Sequence, residues 1–120
     1  QPMAVSEAHR RHWMQRWAAE AEQRERRRAA ALEQAEASAA ALRRQWPCLS
    51  AIWLFGSVLT GAYAAHSDSD LAVEGLPAGD QLAALALTEA SGEIPVALVR
   101  LEALPLHWQQ RIRQRGRRLT

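Results

Sequence analysis

The sequence predicts an α/β domain in which a small mixed sheet of about three strands is flanked by helices, with a long helix at the N-terminus. Three short apolar runs, 51–55, 71–74 and 94–101, have the composition and length of buried strands. Segments of helical composition lie before, between and after these runs. This alternation is typical of a sheet covered by helices, and 120 residues are enough for one such domain.

The N-terminal segment predicts one long helix. Residues 6–45 contain neither glycine nor proline and are dominated by alanine, glutamate, glutamine and arginine, which favour helix. The second half of this segment has an apolar stripe that should pack on the sheet, formed by Leu32, Ala35, Ala39, Leu42 and Trp46. We therefore divide the chain into an N-terminal helical extension, residues 1–28, and a minimal domain, residues 29–120.

A second apolar stripe lies on the extension, where a small domain has no surface left to cover it. It consists of Met14, Trp17 and Ala21, and Trp13 lies beside it. Exposed tryptophans on an arginine-rich helix are candidate anchors of an interface. We expect this face to bind either a second copy of the chain, forming a homo-oligomer through the N-terminal helix, or the helix of a partner. The other tryptophans are expected in the core: Trp46, Trp53 and Trp108.

The remaining elements are delimited by glycine and proline. The long helix should end at Trp46, because the residue before a proline disfavours helical geometry. After it the sequence predicts a strand over 51–55, a short helix over 57–64, a strand over 71–74, a helix over about 80–90, a strand over 94–101, and a last helix between Pro105 and Gly116.

A Gly-Ser pair and two aspartates have the clearest chemical meaning. Gly56 and Ser57 follow the first strand, where a glycine lets the backbone approach a phosphate and the next N–H groups favour an anion. Asp68 and Asp70 begin the second strand, and residues two apart on a strand point to the same face. Because Mg²⁺ bridges carboxylates to phosphates, this pattern indicates metal-dependent nucleotide chemistry. The alternatives are a capped tight turn for Gly-Ser and solvated turn carboxylates for the aspartates.

At these residues the chain resembles the nucleotidyltransferase superfamily related to DNA polymerase β, in particular its minimal members. The shared pattern is an apolar strand, Gly-Ser, a spacer of about ten residues and Asp-x-Asp, and the likeness covers roughly residues 30–119. It implies the nucleotidyltransferase fold and the transfer of NMP from an NTP, with ATP as the expected donor, to an acceptor hydroxyl, with Mg²⁺ or Mn²⁺ as cofactor. Asp68 and Asp70 would then be catalytic residues and metal ligands, and Gly56 and Ser57 would bind the nucleotide.

Two positions depart from the pattern of that family. Its members have a third carboxylate on the next strand, and Ala97 takes that position here. They also usually have a basic residue before the second glycine of the turn, where this chain has Thr60. The resemblance therefore implies a transferase whose activity is impaired by the loss of a metal ligand or proton acceptor, and of a phosphate contact. We favour neither Glu74 nor Glu102 as a replacement carboxylate.

The same resemblance implies a partner. Similar stand-alone domains are commonly antitoxins paired with a helical HEPN-type toxin, and some of them modify a tyrosine of that toxin. The alternative function is a non-catalytic module of the same fold that acts by binding its partner. Nucleic-acid binding ranks behind both, because the arginines at the two ends form no recognisable motif.

Charge and composition agree with these expectations. Residues 47–104, which contain both aspartates, have a net charge of −6 and suit a cation, whereas residues 1–46 have a net charge of +3 and residues 105–120 one of +5. No apolar run approaches the ~20 residues that a membrane span needs, and the polar N-terminus is unlike a secretory signal. Cys48 is the single cysteine, so no intrachain disulfide is expected. These features predict a cytoplasmic protein.

Overall fold

The structure, a computed structural model, describes residues 6–60 and 68–120. Within these ranges the helices and strands follow in the order α1 Glu7–Gln45, β1 Ala51–Phe55, β2 Ser69–Glu74, α2 Gln81–Glu89, β3 Val96–Arg100, α3 Leu106–Arg115 and β4 Arg117–Arg118. Among the helices that are described, none combines the length and the apolar character that crossing a membrane would require.

The strands form one mixed sheet in the order β3-β2-β1-β4. β1 is antiparallel to both β2 and β4, whereas β2 and β3 are parallel. The predicted mixed sheet flanked by helices is thus confirmed, with one more strand than expected. β4 escapes prediction because Arg117-Arg118 has no apolar alternation. It is held in place by the residues that follow, as the Leu119 N–H donates to the Ile52 carbonyl at 2.8 Å.

One face of the sheet packs against α2 and the second half of α1. The residues buried there are Ala31, Ala35, Ala39 and Leu42 of α1 together with Ile52, Leu54, Leu71, Val73 and Leu98 of the sheet. Three members of the predicted α1 stripe are therefore confirmed as core. On the other face α3 covers a smaller cluster of buried residues, Ala72, Leu101 and Ile112.

The first half of α1 extends beyond this core. Residues 7–26 are exposed throughout, and the molecule measures 66 × 30 × 20 Å along its principal axes. Trp13, Met14 and Trp17 are 37%, 60% and 61% exposed, so the second stripe is uncovered in the single chain. The long N-terminal helix is confirmed, whereas the boundary after residue 28 stays a prediction.

Two predicted elements are shorter in the structure. The helix predicted over 57–64 is a single 3-10 turn, Ser57–Leu59, and Thr60 is already extended at φ −107° and ψ 172°. The Thr60 N–H and hydroxyl both donate to the Ser57 carbonyl at 3.1 Å, which closes the turn; residues 61–64 lie outside the described ranges. β3 begins at Val96 rather than residue 94, because Pro95 has no N–H to donate to a neighbouring strand.

Candidate active site

Asp70 lies in the middle of the sheet, between the ends of two neighbouring strands. It pairs with Phe55 at the end of β1 and with Ala97 near the start of β3. Paired residues of adjacent strands point to the same face, so Asp70 and Ala97 share the face on which α3 packs. Asp68 comes directly before β2 and is exposed, whereas Asp70 is half-buried. The Ala97 methyl group thus occupies the position beside the inner aspartate.

The two aspartates interact electrostatically. Burial raises the pKa of Asp70, and the negative charge of Asp68 raises it further. A bound cation would offset both effects, and two carboxylates are the oxygen ligands that Mg²⁺ and Mn²⁺ accept. In residues 6–60 and 68–120 no group of three His, Cys, Asp or Glu side chains is placed to hold a metal. The donor set therefore fits a divalent cation whose remaining ligands come from a nucleotide or from water.

The Gly56 turn lies directly against the Asp70 carboxylate. Gly56 has φ +85°, a backbone conformation that L side chains rarely adopt. A Cβ at this position would lie 2.3 Å from Asp70 Oδ2, so any larger residue would displace the carboxylate. The next residue, Ser57, begins the 3-10 turn, and the first N–H groups of such a turn have no acceptor within it. An anion would therefore meet one turn of backbone amides rather than the longer helix predicted from the sequence.

Arg28 supports this turn from α1. Its Nε donates to the Val58 carbonyl at 2.7 Å, and its guanidinium lies 3.5 Å from the Glu25 carboxylate. The sequence assigned Arg28 to the extension and gave it no role. No local signal could have identified it, because the contact joins residues 30 positions apart.

A cleft of about 230 Å³ opens beside the Gly56 turn. Thr60 and Gly56 line one side, and Trp108, Arg111 and Arg115 of α3 line the other. The prediction that Trp108 belongs to the core is wrong, because its ring faces this cleft and is 44% exposed. The Arg111 guanidinium lies 5.4 Å from the centre of that ring.

Sequence reasoning missed both cleft arginines. Arg111 and Arg115 are four positions apart, and Trp108 is three positions before Arg111, so all three share one face of a helix. That spacing is visible in the sequence. The position of this helix face beside the Gly56 turn follows only from the fold.

The two glutamates that were not favoured as replacements are engaged elsewhere. Glu74 lies four residues beyond Asp70 on β2, about 13 Å along the strand. Its carboxylate accepts a hydrogen bond from Arg113 at 2.6 Å. The Glu102 carboxylate accepts one from the Gly75 N–H at 2.5 Å. Both lie at the opposite end of β2 from the aspartate pair.

Solved structures share this arrangement of elements. A chain of the toxin–antitoxin MntA–HepT is 23% identical with a TM-score of 0.57, and the match covers 72% of this chain and 69% of that one. A mutant of that pair, carrying two aspartate-to-glutamate changes two positions apart, is 24% identical with a TM-score of 0.59 and 68% coverage of both chains. A toxin–antitoxin structure with AMP-PNP is 27% identical with a TM-score of 0.61, covering 71% of this chain and 72% of that one.

The sequence comparisons identify the family. No protein with a curated function matches this chain significantly. The family model described as polymerase beta, nucleotidyltransferase matches residues 39–120, which is more than half of the chain. The chain therefore belongs to the polymerase β-type nucleotidyltransferase family and is one of its minimal members.

Proposed function

We propose that this protein transfers NMP from an NTP, with ATP as the expected donor, to a hydroxyl group of a toxin-like partner protein in a reaction that requires Mg²⁺ or Mn²⁺. One observation carries the proposal: the Asp70 carboxylate, next to Asp68, lies against the Gly56 turn at the edge of an open cleft. A carboxylate pair can hold a divalent cation against the phosphates of a nucleotide, and the turn offers backbone N–H groups to those phosphates. The NTP requirement and the single cysteine support the proposed cytoplasmic location.

The residues of the site would divide the work as follows. Asp68 and Asp70 hold the divalent cation, which when bound neutralises charge on the phosphates. Gly56 leaves room for the phosphate chain, and Ser57 offers its N–H and hydroxyl. The acceptor oxygen forms a bond to the α-phosphorus while the bond from that phosphorus to the bridging oxygen breaks, and pyrophosphate leaves with the electron pair. The site contributes mainly by positioning and charge stabilisation.

Ala97 limits this reaction in the proposal. It lies beside Asp70 and offers no oxygen to accept the acceptor's proton, so in this proposal the proton passes to water or to a phosphate oxygen. A positioned general base contributes typically 10²–10⁴-fold to a rate. We therefore expect slow transfer rather than none.

Two of the similar structures support the nucleotide and the ligand residues. One contains AMP-PNP, a non-hydrolysable ATP analogue. The other has two aspartates replaced by glutamate at a spacing equal to that of Asp68 and Asp70. All three are toxin–antitoxin structures, which supports a toxin as the partner.

The extension offers the surface for that partner. Trp13, Met14 and Trp17 form an exposed apolar face, and residues 7–28 contain seven arginines against four glutamates. A partner with an apolar helix flanked by acidic residues would match both features. The same face is also the one through which the chain would associate with itself.

A second candidate function is a non-catalytic antitoxin that acts by binding alone. The observation favouring it is again Ala97, because the register pairs this methyl group with Asp70, at the position where the family resemblance leads one to expect a carboxylate. This module would still need the partner surface of α1. It would not need the aspartates.

Transfer of label distinguishes the two candidates. The wild-type chain is incubated with α-labelled ATP, Mn²⁺ or Mg²⁺, and a HEPN-type toxin as the candidate partner. We expect labelled partner, and a loss of at least ~100-fold with Asp70→Asn, since the metal ligand and its charge are removed. Asp80→Asn is the matched control, because Asp80 lies outside the site and an asparagine oxygen can still accept from the Trp46 indole. Tight partner binding without any labelling would instead establish the non-catalytic antitoxin.

A further inference from the structure

The cleft beside the Gly56 turn has two arginines facing a position that lacks a basic residue. Thr60, on the turn side, stands where the family resemblance leads one to expect a cation. On the opposite side, at the same cleft, are Arg111 and Arg115 of α3. The turn side of the cleft therefore has no positive charge at Thr60, whereas the α3 side has two arginines.

These arginines are held by a helix that is fixed on the sheet. Ile112, between them in sequence, is only 3% exposed and packs against the sheet face that bears Asp70. Burial of this residue sets the rotation of α3, so that the face with Arg111 and Arg115 is turned to the cleft. Arg111 also rests over the Trp108 ring, a contact that limits the side-chain freedom lost on binding.

The two cleft arginines differ from their neighbours in their pairing. Arg113 forms an ion pair with Glu74 at 2.6 Å, and Arg117 approaches Glu36 at 3.8 Å. Within the described part of the chain, neither Arg111 nor Arg115 forms an ion pair. Two guanidinium groups that lack a carboxylate partner and line a concave surface make a site for an anion.

We propose that Arg111 and Arg115 bind the β- and γ-phosphates of the NTP, supplying from α3 the positive charge that the Gly-Ser turn lacks at Thr60. This inference rests on the proposed function, since it extends the same nucleotide site. Gly56 lines the cleft, and a Cβ at this position would meet Asp70 Oδ2, so the turn adjoins both the cleft arginines and the inner aspartate. Guanidinium groups bind phosphate through paired hydrogen bonds, which suits them to a polyphosphate chain.

The test measures binding of three probes by calorimetry in the presence of Mg²⁺: ATP, inorganic tripolyphosphate and AMP. The variants are Arg111→Ala, Arg115→Ala and the double variant. Arg44→Ala is the matched control, because Arg44 is exposed at the end of α1 and its loss changes the net charge equally. Both cleft arginines are exposed, so folding should survive, and circular dichroism checks this. Asp70→Asn is measured in parallel.

We expect each substitution to weaken ATP and tripolyphosphate binding by about 10-fold or more, with AMP binding unchanged. Arg44→Ala should have little effect. If the double variant binds ATP like the wild type while Asp70→Asn does not, the inference is overturned and the proposed function survives. An equal loss for AMP and ATP would assign the cleft to the nucleoside or the α-phosphate, which both probes share, and would also overturn the inference. Failure of the wild type to bind any probe would overturn both.

Discussion

Asp70 has surroundings unlike those of a surface carboxylate. It is half-buried, it lies beside Asp68, and its Oδ2 occupies the space that a side chain at position 56 would need. Burial and the neighbouring charge both oppose its ionisation, so this residue costs stability when no cation is bound. Such strain between neighbouring groups is common at sites kept for binding or catalysis.

Asp70→Asn should therefore raise the melting temperature at pH 7. The pKa of Asp70 is raised in the folded protein, so the folded state is penalised as the pH rises above the pKa of the unfolded chain, which is about 3.9. The gain in stability from the neutral asparagine should be complete at neutral pH and should vanish at pH values below the pKa of the carboxyl in the unfolded chain. Melting curves across this pH range test it. A variant less stable than the wild type at neutral pH would contradict the expectation.

Magnesium should reverse the order of the melting temperatures of the wild type and Asp70→Asn. A cation bound between the aspartates stabilises only the folded wild type, and at 100 times its dissociation constant the gain is about 2.7 kcal/mol. The melting temperature of the wild type should then rise with added Mg²⁺ and ATP, and that of Asp70→Asn should not. Equal shifts in both proteins would show that the cation binds elsewhere.

Ala97→Asp should raise NTP-dependent labelling of the partner by at least ~100-fold. The register with Asp70 places the new carboxylate on the same face of the sheet, and Ala97 is exposed, so the side chain fits without repacking. Ala97→Asn, which adds the same volume without the charge, is the control and should stay slow. Equal and robust labelling by wild type and Ala97→Asp would show that another group already supplies the function. No labelling by either protein would favour the non-catalytic antitoxin.

Elements whose local composition is distinctive could be predicted from the sequence. The buried stripe of α1 and the apolar runs of β1 and β2 are written in the local sequence, and the structure has them. The 3-10 turn after Gly56 and the strand β4 depend on distant partners instead. Leu119 pairs with Ile52, and no local sequence pattern predicts that pairing.

The same division applies to the site. Asp68, Asp70 and Gly56 could be proposed as site residues because their spacing is local and their chemistry is specific. Arg28 and the cleft arginines come from α1 and α3, so their proximity to the turn is created by the fold. Outside the site, Gln34 is a further residue whose contacts depend on the fold, since no sequence pattern singled it out. Its buried amide accepts from the Ile94 N–H and donates to the Ile94 carbonyl, both at 2.9 Å.

Hydrogen exchange should divide α1 into two parts. Residues 31–42 pack on the sheet, whereas the side chains of residues 7–26 are exposed and none of them belongs to the described core. Isolated helices of this length are marginal in water. We expect amides of residues 10–26 to exchange at least ~100-fold faster than those of residues 31–42. Uniformly slow exchange along α1 would instead mean that the extension is covered in solution.

The extension dominates the shape of the whole molecule. The radius of gyration is 18.7 Å, whereas a compact chain of this length should have about 14 Å. A helix that extends this far adds exposed surface without a core of its own. The apolar face formed by Trp13, Met14 and Trp17 lies on its outer half, and exposed apolar patches of this kind commonly mark interaction surfaces.

In the absence of a partner, we expect this face to join two copies of the chain. Light scattering should give a mass that rises from monomer to dimer with concentration, because burying two tryptophans per chain removes a large apolar area from water. Trp13→Ala with Trp17→Ala should remain monomeric, with a radius of gyration by X-ray scattering near 18.7 Å if the helix persists. Gln15→Ala with Gln23→Ala, on the other side of the helix, is the matched control and should dimerise. A monomer for all three proteins would contradict self-association, and the face would then be reserved for the partner, whose binding the tryptophan variant should still abolish.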